Sequence, residues 1–167
     1  ASHSVLSEQL CLLGPVKPMH GIKPPADGSI SYKQVADLPL ILPSLNHGLR
    51  ELLEGLAGKS GLELNTIIDV DSYGNIKELV EVGMGYSVLP FHAISREVHD
   101  GRLKNWPIRK PELQRDVYLV HASDRPMANA VTVIEALCRE VLLELVDTGR
   151  WRGAQALPEA ATDSAKV

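Results

Sequence analysis

Three times in succession the sequence sets a short apolar run ahead of an amphipathic stretch: LPLILPS (38–44) before HGLRELLEGLAGKSG, LNTIIDV (64–70) before SYGNIKELVEVG, and GYSVLPF (85–91) before HAISREVHDG. A run as continuously apolar as LPLILPS suits a strand buried on both faces of a parallel sheet. The stretches that follow have helical periodicity. Leu49, Leu52, Leu53 and Leu56 repeat at i, i+3, i+4 and i+7, with Arg50 and Glu54 four apart on the expected wet face, and Ile76, Leu79 and Val80 share one side of the next helix. Strands alternating with helices of this length predict parallel pairing through right-handed crossovers, and so an α/β fold.

The remaining segments fill in around that succession. SVLSEQLCLLGP (4–15) reads as a strand ended by Gly14-Pro15, and KPMHGIKPPADGS as a loop. LKNWPI leads into a Pro-bounded passage, RKPELQ, and then a fourth strand, QRDVYLVHA (114–122). A last helix is expected from Ala130 to Thr148, burying Ala130, Ile134, Leu137, Val141 and Leu145 and ending at Gly149. Residues 154–167 are small, polar and aperiodic, which predicts a disordered tail.

Composition narrows the function classes. With 44% hydrophobic residues in 167, a core is available, and a net charge of −4 leaves no basic stripe to follow phosphates. Nucleic acid is therefore not expected to meet this segment directly. No apolar run approaches the roughly 20 residues of a membrane span, and the N-terminus lacks the charged and apolar regions of a secretion signal, so the chain reads as cytoplasmic. Cys11 and Cys138 both lie in apolar runs and are expected to be uncoupled buried thiols.

Several motifs invite a test. Asp69, Asp71 and Gly74 fall at the first, third and sixth positions of a calcium loop, but Tyr73 and Val80 stand at the fifth and twelfth, where the ion needs oxygens. The residues account for themselves more simply as a strand end followed by a helix cap, Asp71 or Ser72. Gly85, Tyr86 and Ser87 begin a nucleophile elbow, yet Leu89 replaces its last glycine and the run reads as strand. Gly83-Met84-Gly85 follows a helix and precedes a strand, the reverse of a dinucleotide fingerprint, and is expected to end the helix and turn the chain. His20, His92, His99 and His121 are scattered, without a ligand pair at helical spacing. Trp106 and Trp151 read as packing or hinge residues. Neither a metal nor a cofactor is implied. What survives is a set of polar residues at strand ends, where open α/β sheets bind small ligands: Ser44, Asn46 and His47 before one helix, Asp71 and Ser72 before the next.

ADLPLILPSLNHGLRELLE, DVDSYGNIKELVEVGMGYSVLPFHAI, GRLKNWPIRKPELQRDVYLV and the closing ELVDTGRW, in that order and spacing, resemble the effector-binding domain of LysR-type transcriptional regulators. The similarity runs from about Leu6 to about Gly153, and the HGLR variant leans toward regulators of the nitrogen assimilation control type. The resemblance implies a type 2 periplasmic-binding-protein-like, Rossmann-like architecture of two α/β lobes with an effector between them. Residues 16–111 would form a complete second lobe, and residues 1–15 with 112–153 part of the first. It further implies effector contacts from Ser44, Asn46, His47, Asp71, Ser72 and Ser87. The effector would be an anionic or polar metabolite, the protein would self-associate as a dimer or higher oligomer, and DNA would be met through a winged helix-turn-helix absent from this chain. With the opening of the first lobe also absent, the first strand and last helix are expected to expose an apolar face, as in a fragment or in a dimer that covers it. Two rival readings stand beside this one: a solute-binding protein of a transport system, and a small α/β enzyme acting through His47 and Asp71.

Overall fold

In a computed structural model, residues 2–122 and 128–158 are described. The chain divides into two compact units, Leu10–Leu113 and the pair of segments Ala1–Gln9 and Gln114–Val167. The division falls inside the opening strand β1 (Ser2–Pro15) and not after Pro15, because Leu10–Pro15 makes its ladders within the larger unit.

The larger unit contains β2 (Ile30–Ser31), α1 (Tyr32–Asp37), β3 (Leu40–Leu42), α2 (Gly48–Lys59), β4 (Thr66–Asp69), α3 (Tyr73–Glu81), β5 (Ser87–Pro90), α4 (Phe91–His99) and β6 (Leu103–Arg109). The strand–helix alternation expected over residues 38–101 is present. β3 and β4 pair in parallel, and β3 meets β5 in parallel at Leu40 and Tyr86, where Ile41 N–H donates to Tyr86 O and Tyr86 N–H to Pro39 O, both at 2.8 Å. β6 pairs in parallel with β2. The expectation of parallel pairing throughout fails at β1, which runs antiparallel to both β5 and β6. No strand–helix–strand crossover links β1 to these neighbours, so the handedness argument does not constrain it.

Leu10, Leu12, Leu13, Ile41, Leu42, Leu49, Leu53, Ile76, Val80, Leu89 and Ile94 are almost wholly buried in one core. The Tyr32 hydroxyl donates to Leu53 O at 2.7 Å, tying α1 to α2 inside it. Trp106 is buried against Tyr86 and sends its indole N–H to Ala26 O at 3.1 Å, consistent with a packing role.

The smaller unit pairs Ser2–Gln9 of β1 antiparallel with β7 (Gln114–Val120) and with β8 (Ala154–Ala156). The buried Glu8 accepts from Arg115 Nε at 2.5 Å and from Trp151 Nε1 at 3.0 Å. Two expectations are corrected in this unit. Residues 154–156 are a strand, since Gln9 N–H reaches Gly153 O and Leu157 N–H reaches Val5 O to continue the β1 ladder; residues 159–167 of the expected tail lie outside the described set. Helix α5 (Asn129–Asp147) forms as predicted, but the face that its periodicity marks for burial is largely open, as the resemblance implies for the last helix: Ile134 is 60%, Leu137 57% and Val141 45% exposed. The first strand, expected to expose an apolar face as well, does not: in the first half of β1, Val5 and Leu6 have no exposed surface.

Candidate functional site

The carboxyl ends of β3 and β4 lie side by side, with Leu42 paired to Asp69, and each strand runs into a short loop and then a helix start. The caps are supplied by the residues the sequence singles out. His47 is the N-cap of α2 and its Nδ1 accepts from Leu49 N–H at 3.2 Å; Ser72 is the N-cap of α3 and its Oγ accepts from Asn75 N–H at 3.4 Å. Such caps satisfy donors that the first helical turn leaves orphaned.

Asp71 joins the two loops. Its Oδ1 accepts from Ser44 N–H at 2.8 Å and from Ser44 Oγ at 2.7 Å, and these two bonds, aided by His47 nearby, hold the carboxyl below its ordinary range. A carboxylate that accepts such bonds is favoured in its charged form. Ser44, His47, Asp71 and Ser72 therefore share one rim. Asn46 is exposed in the turn between Ser44 and His47. Ser87 lies apart from the rim: it sits in β5, paired to Leu13 on β1, with no exposed surface, and its hydroxyl has no hydrogen-bond partner among the described residues. This is strand geometry and not the exposed turn of a nucleophile elbow.

Two residues at the rim are not foreseen from spacing. The Tyr73 ring lies 5.8 Å from the His47 ring at 45°, spanning the starts of α2 and α3. Arg50, expected on the wet face, is only 7% exposed; it pairs with Glu54 as the spacing predicts, through Nε at 2.7 Å, but its Nη1 also reaches Pro43 O and Asp69 Oδ1, each at 2.9 Å. The guanidinium thus fastens the end of β3 to the end of β4 from within, using its fork of donors. At the calcium-loop positions, Asp69 is engaged by Arg50, Tyr73 packs on His47 and Val80 is in the core.

The cysteines differ from expectation in one respect. Cys11 is buried, and loss of hydration pushes its thiol up to about 12, whereas Cys138 is exposed on α5. Its apolar run belongs to the open face of that helix.

The family model for the LysR substrate binding domain matches residues 1–143. The chain is 29% identical over 120 residues to a probable nitrogen assimilation transcriptional activator of Synechococcus elongatus, covering 71% of this chain and 39% of that protein. It is 23% identical over 150 residues to the HTH-type transcriptional regulator BbuR of Bordetella bronchiseptica, covering 89% of this chain and 45% of the other. The chain thus spans less than half the length of these curated relatives. Among solved structures, the Synechocystis PCC6803 CcmR regulatory domain in complex with 2-PG superposes with a TM-score of 0.70 at 18% identity, over 84% of this chain and 66% of that one. The effector binding domain of QuiR in complex with shikimate gives 0.71 at 19% identity, over 86% and 66%. These likenesses identify the fold as that of LysR regulatory domains, the type 2 periplasmic-binding-protein-like architecture.

Proposed function

The chain belongs to the LysR substrate binding domain family, and from that premise we propose that it is the effector-sensing part of a cytoplasmic, DNA-binding transcription regulator. The effector is a small polar molecule that docks on the rim formed by Ser44, Asn46, His47, Asp71 and Ser72. The observation that carries this reading is the Ser44–Asp71 bridge, which ties the loops leading into α2 and α3 into one rim at the carboxyl ends of β3 and β4. DNA contact belongs to a part of the regulator outside these residues, in keeping with the net charge of −4. Self-association places the sensing domains so that a ligand-biased equilibrium alters the assembly on DNA, by no more than the ligand's difference in affinity for the two states.

The rim binds and does not catalyse. The Nδ1 of His47 is spent on the Leu49 N–H and Oδ1 of Asp71 on Ser44, so one side chain caps α2 and the other bridges two loops, which is not the arrangement of a base with its orienting acid.

A thermal-shift screen of small metabolites against the chain tests the reading. A ligand at a hundredfold excess over Kd stabilises by about 2.7 kcal/mol, a rise in Tm of roughly 5 °C or more for a domain of this size. The rise is expected to shrink in Ser44→Ala and in His47→Ala. A screen without a single hit, or hits indifferent to both substitutions, would remove the rim from consideration.

A further inference from the structure

No further inference is drawn: the strongest candidate, the open apolar stripe of α5 with the cavity of about 170 Å³ that Ile134, Glu135 and Cys138 form with His121 just past β7, carries nothing because no feature of the structure shows what covers it.

Discussion

One oxygen of Asp71 takes two hydrogen bonds from a single residue, Ser44, at 2.8 Å from the backbone N–H and 2.7 Å from the hydroxyl. The contact joins the loop after β3 to the residue before the N-cap of α3, so one side-chain pair sets the distance between two helix starts.

That pairing has a titration signature. Asp71 is held below the ordinary carboxyl value of 3.8, chiefly by the Ser44 backbone N–H and then by the Ser44 hydroxyl. A depressed carboxyl pKa stabilises the fold fully above the unfolded value and loses that contribution as pH falls through the folded one. Ser44→Ala removes one of the two donors and should move the Asp71 carboxyl up toward 3.8 while leaving its backbone bond in place. Carbon-13 NMR titration of the Asp71 carboxyl in both proteins checks this; identical midpoints would show that the hydroxyl contributes nothing.

How far the sequence discloses this arrangement depends on the range of each interaction. The strands and helices between residues 38 and 101 are legible because burial imposes periodicity on every few residues, as at Leu49 and Leu53. The six-residue α1 is too short for a period, and its one signal is the Ser31–Gln34 capping box, S-x-x-Q, which the structure forms in both directions. Pro107 inside β6 disguises that strand, since proline brings no N–H to a ladder; it sits opposite Cys11 all the same. β8 is three small residues that become a strand because β1 offers them an edge. At the rim, Ser44, His47, Asp71 and Ser72 stand out by cap chemistry, which is local. The Tyr73–His47 contact and the triple role of Arg50 span separate loops, and no spacing along one chain encodes them.

Gly85 illustrates a residue whose reason is packing and not turning. A Cβ there would stand 2.9 Å from Pro39 O and 3.0 Å from Cγ1 of Ile41, beside the bonds that join β3 to Tyr86. Backbone cannot retreat as a flexible side chain can. Gly85→Ala is therefore expected to cost roughly 1–3 kcal/mol, read as a lower urea midpoint at an unchanged slope. The neighbouring Gly83, at φ +83 with open space around it, serves instead as the left-handed residue after α3. An unaltered midpoint for Gly85→Ala would mean that β3 and β5 are looser than their hydrogen bonds indicate.

The two thiols should separate cleanly in reactivity. Only the thiolate attacks a disulfide reagent, and burial both screens Cys11 and pushes its pKa up to about 12, while Cys138 is exposed. Ellman's reagent added to the native chain should report one fast thiol, lost in Cys138→Ser, and a second only as the protein unfolds. Two fast thiols in the native protein would contradict the packing of β1 against β5.

Lys77 and Glu97 make the sharper electrostatic test, because the carboxyl is nearly enclosed. The side chain of Glu97 is 12% exposed, its Oε1 accepts from Lys77 Nζ at 2.6 Å, and Arg102 lies 3.9 Å away. Burial pushes the Glu97 carboxyl up, yet the Lys77 bond and the two cations together hold it below its ordinary 4.5. In the wild type this contribution is complete above that value and is lost as pH falls through the lower folded one. Lys77→Met reverses the balance: burial then dominates, the folded pKa rises above 4.5, and the charged form becomes the costly one. The variant should lose about 2 kcal/mol at pH 7, the cost of an unpaired buried charge reduced for the cation that remains. It should also recover part of that loss between pH 7 and 5 as Glu97 takes up a proton, a range over which the wild-type pair gains nothing. Urea midpoints at the two pH values distinguish the outcomes. A deficit that stays constant with pH would assign the loss to packing of the lysine stem and not to the carboxylate it leaves behind.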